Sequence, residues 1–169
     1  MANWYRLNSN ERGMLGFTDV LVFDYTELTT AGTTQTISHT LPICLLDTGV
    51  IVRVGQAFVR PAGAVSVDVG HNGLSAESGT ISSDADYFID ARSLAVQGTI
   101  WGTDDATAGA LGSVFINEGG TTKSRLDFLF TSSSGDLGDG TNPLSGATAG
   151  RMEFYFKALM ESDFSLRQG

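Results

Sequence analysis

Residues 65–69 alternate strictly, with Val65, Val67 and Val69 on one side and Ser66 and Asp68 on the other. A period of two is the mark of a strand with one face buried. The same alternation returns twice near the C-terminal end. Leu126, Phe128 and Phe130 oppose Arg125, Asp127 and Thr131 within 123–131. Met152, Phe154, Phe156, Ala158 and Met160 oppose Arg151, Glu153, Tyr155, Lys157 and Leu159 within 151–160. Residues 17–28, FTDVLVFDYTEL, follow another rule: Phe17, Leu21, Phe23 and Tyr25 lie on one side, while Val20 and Val22 are apolar on the other. A strand apolar on both sides is covered on both faces, by its own chain or by a partner subunit.

Further strands are expected over 41–46, 49–60, 87–91, 94–101 and 112–117. Pro61 and Gly63 end the second of these. The glycines of Glu118-Gly119-Gly120 suit a turn and predict a hairpin between 112–117 and 123–131. The segment 29–34, the polar run after His71-Asn72-Gly73 and the span 132–150 read as turns and loops. No amphipathic helix is evident. About eight or nine strands at even spacing predict an all-β fold, a jelly-roll-like antiparallel β-sandwich. Residues 1–16 have no sustained period and read as an N-terminal arm, followed by a single sandwich domain over 17–169. Trp4 and Tyr5 so near a terminus either pack on their own domain or clasp a neighbouring subunit.

Composition narrows the class. A chain of 169 residues with 41% hydrophobic content buries roughly 70% of its unfolded surface and needs no metal or disulfide to hold a core. Nineteen acidic against ten basic residues give a net charge of −9, and the basic residues form no run. That disfavours nucleic acid and anionic membrane as partners. No apolar run approaches a membrane span, and the first residues lack the apolar stretch of a signal peptide. The single cysteine, Cys44, cannot form an intrachain disulfide and reads as a small buried hydrophobe. Synthesis in a reducing host cytoplasm fits these features.

The chemistry-bearing residues make a poor case for catalysis. Asp84 with Asp86, Asp104 with Asp105, and Asp136 with Asp139 are acidic pairs in turn-like settings. Asp136-Leu137-Gly138-Asp139-Gly140 lacks the alternating ligands and downstream Glu of a calcium loop. His39 and His71 are too few for a three-histidine zinc site, and His71 reads as a turn residue. No metal site, cofactor or enzymatic activity is expected. Trp101, Asp104 and Asp105 could form an aromatic platform with carboxylates, the minimum of a glycan-binding module.

Three segments carry a family resemblance: FTDVLVFDYTELTTAGTTQTI, LPICLLDTGVIVRVGQAF, and SVDVGHNG followed by SDADYFIDARSL and ending in the closing Gly-Arg-Met-Glu-Phe-Tyr-Phe strand. Together they span most of 17–160 and resemble capsid decoration (cement) proteins with a jelly-roll or sandwich body, found in tailed phages of cyanobacteria and marine bacteria. The chain departs from that pattern in carrying His71-Asn72 where a more acidic turn is typical, and in its longer arm. The resemblance implies a structural virion protein on the capsid exterior, a homotrimer that braces neighbouring major capsid subunits. On that reading Trp4, Tyr5, Arg6, Leu7 and Arg12 of the arm make the capsid or subunit contact. The alternative is a lectin-like module of a phage head or tail fibre that binds glycans through Trp101, Asp104 and Asp105.

Overall fold

The computed structural model describes residues 3–41, 44–47, 49–60, 63–72, 74–76, 79–81, 84–103, 114–117, 125–138 and 146–160. Among them run fourteen strands: β1 Asn3–Arg6, β2 Asp19–Asp24, β3 Thr34–Thr40, β4 Cys44–Asp47, β5 Ile51–Val59, β6 Val65–His71, β7 Leu74–Ala76, β8 Gly79–Ile81, β9 Asp84–Ser93, β10 Ile100–Gly102, β11 Val114–Asn117, β12 Arg125–Ser132, β13 Ala149–Phe156 and β14 Ala158–Met160. A short helix, α1 Ser9–Leu15, links β1 to β2, and one 3₁₀ turn, Tyr25–Glu27, follows β2.

Two sheets carry the body. One has the order β1-β2-β13-β5-β10 and the other β3-β12-β6-β9, with every pairing antiparallel. Their connectivity has a simple logic. The pairs β6·β9, β5·β10, β3·β12 and β2·β13 nest inside one another. The chain is therefore one long hairpin, outbound through β2, β3, β5 and β6 and returning through β9, β10, β12 and β13. Successive members fall in alternate sheets, except at the innermost pair. A hairpin rolled up in this way is a jelly roll, and the sandwich expected from the strand count is present. Beside it lie a three-stranded sheet, β11-β4-β14, and the ribbon β7-β8.

The inner faces meet over phenylalanines at the alternating positions. Phe23 of β2 lies 4.4 Å from Phe128 of β12, and Phe128 meets Phe154 of β13 edge-on at 5.0 Å. Phe58 of β5 reaches Phe130 at 6.3 Å. All five are buried, in one cluster with Val52, Val54, Val65, Val67, Val69 and Met152. The strand pair around Phe58 closes only because Gly150 is bare: a Cβ there would sit 2.4 Å from the Phe58 ring, at a φ of 149°. The ladder between β13 and β5 slips in register at the same place.

Several expectations are corrected. The arm is built into the sheet: β1 pairs with β2 from Asn3↔Val22 to Arg6↔Asp19. Its lack of period follows from its length, since four residues contain only two of each parity. Helix α1 was not expected, because caps and not an apolar stripe define it. The Asn8 side chain accepts from the N–H groups of Asn10 and Glu11 at 3.0 Å, the Glu11 carboxylate accepts from the Asn8 N–H at 2.9 Å, and Gly16 ends the helix at a φ of 74°.

The predicted hairpin between 112–117 and 123–131 does not form. β11 pairs with β4, while both edges of β12 are occupied by β3 and β6. The strand expected over 94–101 is reduced to β10. Leu94 instead crosses between the sheets, its N–H donating to Val65 O at 2.8 Å and its carbonyl accepting from the Phe58 N–H at 2.9 Å. The closing strand breaks at Lys157 into β13 and β14. His71 is not a turn residue: it ends β6 fully buried, edge-on to Tyr87 at 4.7 Å.

Candidate interaction surface

Away from the slip between β13 and β5, register sets the residues of the five-stranded sheet in cross-strand rows. The inward row Trp4, Leu21, Phe154, Val52, Trp101 runs from one edge of the sheet to the other. Two outward rows flank it: Tyr5, Val20, Tyr155, Ile51, Gly102, and Asn3, Val22, Glu153, Arg53, Ile100. In a sandwich the outward rows are normally polar. Here the first carries no charged residue, while the second mixes Val22 and Ile100 with Asn3, Glu153 and Arg53.

The chain covers part of that face itself. Leu7, Val20 and Val22 are buried together, with Phe17 and Tyr155 packed against them. This answers the two-faced pattern of 17–28, because the outer side of β2 is covered by residues of the same chain. Beyond this cluster a depression of about 330 Å³ stays open, lined by Phe17, Ile51, Arg53, Ile100 and Tyr155. Ile100 is 59% exposed at one side of the face and Tyr5 52% exposed at the other edge.

A polar network fixes the floor of the depression. The Glu153 carboxylate accepts from Tyr155 Oη and from Arg53 Nη1, each at 2.8 Å, with Arg151 Nε at 3.7 Å. Burial, reinforced by the neighbouring Glu153 carboxylate, raises the Tyr155 phenol above its ordinary value, so it stays a neutral donor. The hydrogen bond to Glu153 raises the Arg53 guanidinium. The network offers no free nucleophile or base. What the arrangement offers is an apolar contact surface, with one ordered cation and one phenol at its base.

The residues expected in the arm contact are placed as follows. Trp4 points inward: its indole Nε1 donates to Asp19 Oδ1 at 2.9 Å, and its ring meets His39 edge-on at 4.8 Å and Phe156 at 5.8 Å. Arg6 Nε lies 4.0 Å from the same Asp19 oxygen. Leu7 is buried, and its carbonyl accepts from Arg12 Nε at 2.7 Å. Four of the five thus engage their own chain, and Tyr5 alone presents most of its side chain outward.

For the glycan alternative, Trp101 lies on the inward row, half-buried against the core, which removes it as an outward platform. Asp104 and Asp105 lie outside the described residues, as do Asp139 and the Cys44 side chain. Among the described residues no group of three metal-ligating side chains comes together. No described helix is long and apolar enough to cross a membrane.

Phe17, Ile51, Arg53, Ile100 and Tyr155 were not foreseen as a surface. One signal was present, since Val50-Ile51-Val52 is apolar at consecutive positions and so must face both ways. The convergence of β5, β10 and β13 was not readable, because it depends on pairings between strands distant in sequence.

No protein-family model matches the chain. No curated protein matches it. Among solved structures it is similar to one described as "Structure of infectious bursal disease virus Gt strain", at 11% identity and a TM-score of 0.33, over 94% of this chain and 38% of that one. The chain spans well under half of that neighbour, and a likeness at this TM-score carries no argument.

Proposed function

We propose that the protein is a structural component of a virus particle that decorates and stabilises a phage capsid from outside, bridging neighbouring major capsid subunits as a homotrimer. The observation that carries the reading is the apolar outer face of the five-stranded sheet. An apolar patch open to solvent marks a contact surface, and here the exposed Ile100 with the partly exposed Ile51, Phe17 and Tyr155 supplies one. The jelly roll is compatible, being a body used by capsid and lectin domains alike. The net charge of −9 suits a particle exterior, where the protein does not compete for packaged nucleic acid. The contact is thereby moved from the arm residues of the first expectation to the sheet face, with Tyr5 as its one contribution from β1.

The test is to mix the purified protein with assembled phage capsid shells. Shells carrying the protein should resist heat better than bare shells. Ile100→Asp should reduce shell occupancy at least about tenfold, the equivalent of one interface hot spot. Its circular dichroism should remain that of the wild type, because the side chain is exposed. A monomer by mass photometry that leaves shells undecorated would overturn the proposal.

A further inference from the structure

The open edge of the sandwich beside β1 holds an arrangement that no contact function requires. Among the described residues β1 is attached to the sheet through β2 alone. Its inward anchor is Trp4, which leans on His39 of β3, so this one contact bridges the two sheets at their shared edge. His39 Nε2 is buried and has no hydrogen-bond partner among the described residues. In the neutral ring that nitrogen can carry the lone pair, which is cheap to leave unpaired. In the imidazolium both nitrogens are donors, and a charged N–H would then be enclosed with no acceptor among the described residues.

The opposing term is the attraction of a cation for the indole face, which is smaller than the penalty for an enclosed charged donor. Burial accordingly lowers the His39 pKa from 6.5. The charged groups on the packed elements do not compensate. Asp19 of β2 is engaged by the Trp4 indole and lies 4.0 Å from Arg6 Nε of β1, and burial is the only influence on the His39 pKa. On β12, Arg125 and Asp127 pair at 2.9 Å, and Asp127 stands opposite Ser38, the residue before His39 and of opposite parity.

We propose that His39 makes β1 a proton-operated latch: the neutral ring lets Trp4 close the edge of the sandwich, and the protonated ring releases β1 and uncovers the edge of β2. The released state has lost the Trp4–Asp19 hydrogen bond and the cover that Leu7 gives Val20 and Val22. The sign follows from the chemistry. Closure is complete above 6.5 and weakens as pH falls toward the depressed pKa of the closed form, by about tenfold in the closing constant for each unit of depression.

The experiment uses the full chain with Trp101→Phe, so that Trp4 is the only indole. The His39 ring resonances and the hydrogen exchange of the Trp4 indole N–H are followed by NMR as pH is lowered. His39 should titrate below 6.5, and indole protection should fall with the same midpoint. In His39→Phe, or in His39→Gln if the phenylalanine variant does not fold, protection should persist through that range. A wild-type His39 that titrates at or above 6.5 would overturn the latch. So would loss of protection with an unchanged midpoint in the variant, since that assigns the proton to Asp19. The wild-type titration needs no variant, and failure of capsid binding would leave it untouched.

Discussion

Trp4 and Trp101 occupy the two ends of one inward row of one sheet, yet the fold treats them differently. Trp4 is held by a hydrogen bond to Asp19, by an edge-on contact with His39 and by Phe156. Asp19 is itself fully buried, and its other oxygen accepts from the Thr18 hydroxyl. Thr18 in turn accepts from the Ala158 N–H at 2.8 Å, which ties the edge to the start of β14. Trp101 sits on a strand of three residues paired with β5 and contributes packing area. Its indole has no hydrogen-bond acceptor among the described residues. One edge of the sheet is specified by directional contacts, while the other is closed by apolar cover. Directional contacts can be broken by one proton or one substitution, and apolar cover is lost gradually.

This contrast can be broken from its floor upward. Phe128→Ala removes a ring in contact with Phe23 and Phe154 midway between the edges. It should cost about 4 kcal/mol and shift both indole fluorescence signals together in urea unfolding. Trp4→Ala should cost about 3 kcal/mol, because packing is lost and the Asp19 carboxylate is left short of a donor. Trp101→Ala should cost about 1 kcal/mol, the area term of a half-exposed ring. Equal losses for the two would remove the distinction between the edges.

Asn8→Ala strips the N-cap of α1 and should cost about 1 kcal/mol. Hydrogen exchange in β1 should rise more than in β10. The smallest effect is one of pH. Burial lowers both His39 and His71, so each contributes stability that is complete above 6.5 and declines as pH falls below it. Asp84 and Asp127 oppose the shift at His71 alone. Urea midpoints should therefore fall on acidification, and less steeply in His39→Phe than in wild type.

Period-two patterning made the buried faces of β6, β12 and β13 legible, because a half-buried strand writes its orientation into alternate residues. β3 was missed for the complementary reason. Thr34-Gln35-Thr36-Ile37-Ser38-His39-Thr40 lies at a sheet edge with a single aliphatic residue, and such a strand carries little hydrophobic signal. Helix α1 was missed because its information is in a capping box, four polar residues with no apolar stripe. The hairpin misassigned to β11 and β12 shows the limit of local turn chemistry: glycines permit a turn, but the pairing is decided by which strand edges are already taken. The contact face was hidden for the same reason, since Ile51, Ile100 and Tyr155 become neighbours only through long-range register.

The nesting of the strand pairs also fixes an order in time. Of the four nested pairs, only β6 and β9 can find each other early, because each outer pair spans more chain than the one inside it and costs more entropy to close. β2 waits for β13, which lies 125 positions or more further along the chain. During synthesis, residues 3–60 must therefore leave the ribosome with Phe23, Val52, Val54 and Phe58 still uncovered. A chaperone has its longest opportunity to bind there, and a nascent chain halted before residue 149 would have no strand with which to complete the five-stranded sheet.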